Sequence, residues 1–390
     1  MVQEETPMKR FSVLFLTAVL LSAALPASHA AEGQAPALAL SCASAVLMEK
    51  ETGTLLYEQN PHEQLEPASV TKVMTLLLVM EALDSGRLSL EDTVTVSAFA
   101  AGMGGSQVYL EEGEQMSAAE MIKCVTVASA NDCAVALAEH LAGSETAFVS
   151  QMNQRARELG MEDTVFLNCT GLPAQGHVTS AYDIALMSRE LILNHPSIRE
   201  YTTIWMDTIR DGAFGLTNTN RLIRFYQGAT GLKTGSTDGA LYCMSATAER
   251  DGMELIAVVM KAPTTAQRFE DAKTLLDYGF ANYALVDVYP DSPLAPIDVL
   301  LGTADQVQPQ LARDCRLLVR RGEESQITTQ LELAQDVEAP VEQGQILGSL
   351  EIYVGEELRD TIPILSAQQV DRLTAPGIFS RMLRQLLMAD

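Results

Sequence analysis

Three short stretches carry reactive side chains at spacings that chemistry can use. In "EPASVTKVMTLLL", Ser69 stands three residues before Lys72 at the head of an apolar run. On a helix, positions i and i+3 share a face, so the hydroxyl and the amine are neighbours. A lysine is a poor base while protonated, with a reference pKa near ~10.4. Burial and a second cation nearby would lower that pKa and leave a neutral amine able to take the serine proton. Near a helix start, the Ser69 backbone N–H would also face a developing oxyanion. Taken alone, the pair is a weak signal and reads more readily as a helix cap beside a solvated lysine.

Two further stretches change that balance. "SAN", Ser129 to Asn131, falls at a break between two helical patterns, and "KTG", Lys233 to Gly235, falls on a strand edge before "STDGALYCMSA". Ser-x-x-Lys, Ser-x-Asn and Lys-Thr-Gly each occur once, in that order. A serine nucleophile with lysine as its base is the chemistry such a trio serves.

The elements around them are legible. "ASAVLMEKETGTLLYEQN" alternates around Thr52-Gly53 and predicts a β-hairpin. A helix is expected from Ala68 to Asp84, stopped by Gly86, followed by further helices over "SAAEMIKCVTVAS", "NDCAVALAEHLAG", "ETAFVSQMNQRARELGM" and "SAYDIALMSRELILN". "GLKTGSTDGALYCMSATAERDGMELIAVVM" reads as two strands turning at Arg250-Asp251-Gly252, and "TAQRFEDAKTLLDYGFANY" as a closing helix. Strands at both ends with helices between predict an α+β fold around an antiparallel sheet rather than a βαβ repeat.

Composition shifts at "DVYPDSPLAP". Beyond it, short alternating segments predict a small all-β sandwich over residues 287–373. The last segment, 374–390, places Ile378, Phe379, Met382, Leu383, Leu386 and Leu387 on one helical stripe, with Arg381, Arg384 and Gln385 largely opposite. Too short to span a bilayer, it suits a membrane interface, or else packs on the β-domain. At the other end, Lys9 and Arg10 precede an apolar core from Phe11 to Leu25 and small residues at Ser28 and Ala30. That pattern predicts a signal peptide over 1–30 and export.

The net charge of −25 over 390 residues argues against nucleic acid as a partner. Six scattered cysteines show no metal-ligand spacing and read as buried free thiols. His62 lacks the second histidine of a zinc helix, and His140 and His177 read as surface or loop histidines. No cofactor or metal is expected, and no Gly-x-Ser-x-Gly elbow is present.

With the three motifs stand "LNCTGL", "TSAYDIALMSREL" and "NTNRL", and over nearly its whole length the chain resembles the D-alanyl-D-alanine carboxypeptidases, low-molecular-mass penicillin-binding proteins of the serine type. The resemblance implies a transpeptidase-like domain over 31–286, with the sandwich and terminal helix behind it. It implies Ser69 as the nucleophile toward peptidoglycan stems ending in D-Ala-D-Ala, Lys72 as general base, Ser129 as proton relay, and Asn131 holding Lys72 and the substrate amide. Lys233 would supply positive potential, Thr234 would bind the terminal carboxylate, and the N–H groups of Ser69 and Ser236, beyond Gly235, would form the oxyanion hole. Arg268 has two readings, a second holder of that carboxylate or an i,i+3 partner of Asp271. β-Lactams would then be covalent inhibitors. Ser236 stands where the family often has histidine or tyrosine, and "SAN" replaces the commoner "SGN".

A class A β-lactamase is the nearest rival, since "ELILN", Glu190 to Asn194, matches its deacylating motif. Here that motif ends a regular helix rather than sitting in a loop. A non-catalytic β-lactam-binding envelope protein is the rival from outside enzymes, and three intact motifs speak against it.

Overall fold

The computed structural model describes residues 38–387. The signal peptide expected over 1–30 lies outside the described residues.

A five-stranded antiparallel sheet forms the frame. Its strands are β1 (Ser44–Glu49) and β2 (Leu55–Gln59) from the first hairpin, then β3 (Ala229–Thr237), β4 (Leu241–Arg250) and β5 (Met253–Ala262), in the order β2-β1-β5-β4-β3. The hairpin turns at Gly53, whose φ of 70° suits glycine. The later stretch holds three strands where two were expected. The missed turn lies between β3 and β4, where Ala240 N–H donates to Thr237 Oγ1 at 3.0 Å. A single apolar-rich run hid it, because "STDG" is short beside the strands it joins.

Side chains alternate across the sheet as a period of two requires. Val46 and Met48 enter one core with Ile256, Val258 and Met260, while Ala45 and Leu47 enter the other with Leu255, Ala257 and Val259. The first core lies against helices α1 (Lys72–Asp84), α2 (Ala118–Val127), α3 (Asn131–Ala142), α4 (Glu145–Glu158) and α5 (Ala181–Asn194). The second is covered by α6 (Thr265–Asn282) through Phe269, Ala272, Leu275, Leu276 and Phe280. α1 buries ten of its residues, Val73 to Met80 in an unbroken run, which fits a central helix rather than an amphipathic one.

β6 (Tyr283–Asp287) pairs with Arg316–Arg320 and leads into the second region. There a four-stranded sheet is built on the pairs of Ile346–Val354 with Ile327–Leu333 and with Glu357–Ser366, and a three-stranded sheet holds one parallel pair. Two small apolar cores, one around Leu350, Ile352, Ile362 and Ile364 and one around Ile297, Val307 and Val341, hold it together.

The last helix, α7 (Ala375–Leu387), exposes Ile378, Phe379, Met382, Leu383 and Leu387. The side chains of Arg381, Arg384, Gln385 and Leu386 lie outside the described residues. No helix among the described residues is long and apolar enough to cross a membrane. All six cysteines are buried and unpaired.

Candidate active site

A 3-10 turn, Ala68–Thr71, runs into α1 and puts Ser69 and Lys72 at its start. Lys72 Nζ lies 3.0 Å from Ser69 Oγ and donates to the Thr170 carbonyl at 2.7 Å. The lysine is fully buried while Ser69 is half-buried, so the hydroxyl is reachable and its neighbour is dry. Burial drives the Lys72 ammonium down from 10.5 to about 7, against a weaker opposing pull from Cys169 and Asp132. An amine in that range spends a large share of its time neutral at pH 7, and a neutral amine 3.0 Å from a hydroxyl is within reach of its proton.

The break between α2 and α3 supplies the second wall. Ser129 sits there with φ of 62°, a left-handed backbone uncommon for a residue with a Cβ. Asn131 opens α3, its N–H on the Ser106 carbonyl at 2.7 Å and its Nδ2 on the Gly104 carbonyl at 2.7 Å. Ser129 Oγ and Asn131 Oδ1 are buried without a protein partner. Burying such groups unpaired costs about 1–3 kcal/mol each. Only four buried side-chain atoms among the described residues share that condition, and a third is Arg268 Nε.

Strand β3 is the third wall. Lys233 is buried with Nζ on the Thr234 carbonyl at 2.8 Å, and its pKa falls well below the usual lysine value through burial first, then repulsion from Lys72 and Arg268. Thr234 Oγ1 donates to Thr219 Oγ1 at 2.7 Å. Gly235 is required by space: a Cβ there would stand 2.8 Å from Ser69 N and 2.9 Å from Pro67 O. β3 therefore presses on the Ser69 turn, which brings Lys233, Thr234 and Ser69 together. Ser236, next on the strand, is exposed.

Arg268, on the first turn of α6, is nearly buried. Its Nη1 donates to the carbonyls of Gly235 at 3.1 Å and Cys243 at 3.4 Å, and its guanidinium lies over the rings of Tyr242 and Phe269. Burial lowers its pKa to about 10. The Asp271 carboxylate is occupied elsewhere, accepting from Ser41 N, Ser41 Oγ and Cys42 N. Glu190 of the "ELILN" stretch accepts from Arg155 at 2.5 Å and from Asn194 at 2.9 Å, in a cluster with Glu81 and His195. Glu81 lies nine residues along α1 from Lys72, which is about 13 Å of helix. Glu190 thus belongs to the far end of α1.

Sequence reasoning assigned no role to the loop 165–178, yet it closes the site from behind. Asn168 Oδ1 accepts from the N–H groups of Thr170 and Gly171, a turn that aims the Thr170 carbonyl at Lys72. Gly171, with φ of 82°, lies so close to Ala68 O that a Cβ would come within 1.8 Å. Thr219, from "NTNRL", was also unassigned. In the loop, Asn168-Cys169-Thr170-Gly171 signals a turn in the sequence, but the contact that turn makes is set by the fold. His177, read as a surface or loop histidine, is in a loop but buried, because Phe166 and Thr71 enclose its ring.

The family model for D-alanyl-D-alanine carboxypeptidases matches residues 29–264, and that for the penicillin-binding protein 5 C-terminal domain matches residues 285–372. The chain is 39% identical to D-alanyl-D-alanine carboxypeptidase DacF of Bacillus subtilis, over 94% of this chain and 95% of that one. It is 32% identical to DacC of Escherichia coli, over 93% and 92%. Among solved structures, penicillin-binding protein 5 of Haemophilus influenzae superposes with a TM-score of 0.75 at 28% identity, covering 86% of this chain and 99% of the other. The ampicillin-bound form of penicillin-binding protein D2 from Listeria monocytogenes gives 0.58 at 36% identity, over 63% and 100%. With the Ser-Lys pair, the two flanking motifs and the trailing β-domain all in place, the chain belongs to the family of serine-type D-alanyl-D-alanine carboxypeptidases among the penicillin-binding proteins.

Proposed function

We propose that Ser69 Oγ attacks the carbonyl carbon between the two D-alanines of a peptidoglycan stem, with neutral Lys72 taking its proton. The buried contact between Lys72 Nζ and Ser69 Oγ is the observation that carries this reading. The tetrahedral oxyanion is received by the backbone N–H groups of Ser69 and Ser236. Ser129 Oγ passes a proton to the departing D-alanine nitrogen, and the unpaired Asn131 Oδ1 accepts from the substrate amide; a bound peptide satisfies both orphaned atoms. Water then cleaves the ester and regenerates Ser69.

The substrate's free carboxylate is met by Thr234, Lys233 and Arg268. An arriving anion raises the pKa of Lys233 again, which favours its ammonium form and, by repulsion, keeps Lys72 neutral. This accounts for a cationic pocket in a chain of net charge −25. A β-lactam presents a carboxylate and a strained acyl group to the same atoms and leaves an ester on Ser69. The chain acts outside the cytoplasmic membrane, exported by residues 1–30, and rests on the membrane surface through α7, whose apolar side chains Phe379, Met382 and Leu387 are unburied by the rest of the fold.

Incubating the protein with a peptide ending in D-Ala-D-Ala tests the reading. Free D-alanine appears with the wild type and not with Ser69→Ala, and labelled penicillin marks the wild type alone. Wild-type release from Ser69→Ala refutes the assignment.

A further inference from the structure

His177 is a buried histidine that the reaction just described does not use. It stands at the end of the loop 165–178, which Val165 and Val178 close by exchanging backbone hydrogen bonds at 2.9 and 3.1 Å. Its ring meets Phe166 edge-on at 5.9 Å. Two contacts fix its tautomer. The Leu167 N–H donates to Nδ1 at 3.2 Å, so Nδ1 is bare and the proton is on Nε2. Nε2 lies 2.8 Å from Thr71 Oγ1 and donates to it. Burial lowers the histidine pKa to about 4, in keeping with a neutral ring.

Thr71 is the residue just before Lys72, two after Ser69. The same loop reaches this stretch at two other points, through the Thr170 carbonyl on Lys72 Nζ and the Cys169 carbonyl on Thr75 Oγ1 at 2.6 Å. Those two are main-chain acceptors, and their positions depend on the path of the loop. His177 holds that path from both sides, since one nitrogen binds the loop's own Leu167 and the other binds the nucleophile turn. An apolar side chain of like size would fill the space and leave Thr71 Oγ1 and Leu167 N–H without these partners.

We propose that His177 is a positioning residue for acylation, a tether between the loop and the Ser69–Lys72 turn that keeps the Thr170 carbonyl aimed at Lys72 Nζ. The proposal rests on Lys72 being the base.

The test compares Thr71→Val, His177→Asn, the double variant and His177→Gln with Lys72→Met, at a temperature where melting curves show each folded. The readouts are the acylation rate constant with a fluorescent penicillin and kcat and KM for D-alanine release. Asparagine Oδ1 replaces Nδ1 toward Leu167 but its amide stops short of Thr71, whereas glutamine reaches Thr71. Thr71→Val and His177→Asn are each expected to slow acylation 10- to 100-fold, with the loss in kcat and KM within twofold. The double variant is expected to be no slower than the worse single, and His177→Gln to recover to within fivefold of wild type. Wild-type acylation in Thr71→Val and His177→Asn, or losses that multiply in the double, overturn the tether. If Lys72→Met also acylates normally, the reading of Lys72 as base has failed; if Lys72→Met is inert while the others are normal, the tether alone has failed.

Discussion

Before residue 287, the buried polar and charged side chains include Lys72, Lys233, Arg268, Asp132, Asp183, Glu49 and Glu254; from 287 on, Ser366 is the one fully packed polar side chain among the described residues. The second region is made as a small domain is expected to be made, with apolar residues inside and ions at the rim. The first keeps three basic side chains and three unpaired polar atoms around one cleft, each at a cost in stability. The stability given up around that cleft marks where a bound ligand can make good the difference. The β-domain can lose a polar group and change only its own stability. The catalytic region cannot.

The largest effect expected from this contrast is at Lys72. Lys72→Met removes the proposed base and is expected to lower acylation by at least ~10³-fold. It also removes a buried amine and is expected to stabilise the fold by about 1–3 kcal/mol, offset in part by the bare Thr170 carbonyl. Penicillin labelling and a melting curve on the same preparation read both. A slower and less stable variant would show that Lys72 is held by structure rather than tolerated for chemistry.

Two glycines pose the same steric problem in different regions. A Cβ on Gly171 would lie 1.8 Å from Ala68 O, and one on Gly348 would lie 2.0 Å from Glu332 O. Each Gly→Ala change is expected to destabilise by ~3 kcal/mol or more. Gly171→Ala displaces the Ser69 turn and is expected to slow acylation at least tenfold, whereas Gly348→Ala, at a temperature where it is folded, is expected to acylate at the wild-type rate. Equal rates in the two variants would mean that the loop 165–178 does not hold the nucleophile.

The same contrast explains what was legible in the sequence. Ser69, Lys72, Ser129, Asn131, Lys233 and Thr234 could be picked out because the types and order of reactive residues are local facts. The hairpin at Gly53 and the helix ending before Gly86 followed from alternation and a breaker. What could not be read was contact between distant segments. Thr170 acts through a carbonyl, which every residue has, and nothing in "NCTGL" says that it will face a lysine 98 positions away. His177 looked like any loop histidine because burial is a property of what packs on it. The third strand of the motif hairpins was missed for a different reason: two strands and a tight turn carry the same apolar composition as one longer run.

pH dependence comes next in size. With the Lys72 amine at about 7, the acylation rate constant is expected to rise tenfold per pH unit below that value and level off above it. The stability sign runs the same way. The unfolded lysine holds its proton to about 10.5, and the folded one releases it near 7, so the unfolded state binds more protons between those values and stability rises with pH across that window by about 1.4 kcal/mol per unit. Both slopes should disappear or flatten in Lys72→Met, leaving the part due to Lys233. An acylation profile flat from pH 5 to 8 would show that the base is not an amine with this pKa.

The smallest expected effect lies in the β-domain. Arg313 Nη2 meets both oxygens of Asp360 at 2.7 and 2.6 Å, but half of the arginine side chain is exposed. An exposed pair of this kind contributes between ~0 and 1 kcal/mol, since water screens the attraction and two side chains lose freedom to make it. Asp360→Asn keeps an acceptor for the Thr361 N–H, which now bonds to Oδ1, and removes only the charge. The expected loss is therefore under ~1 kcal/mol in low salt and is no longer measurable at ~1 M salt, where screening acts over ~3 Å. Acylation is expected to be unchanged. A twofold or greater loss of acylation in Asp360→Asn would mean that a charge at the rim of the second region is felt in a cleft whose own basic groups are buried.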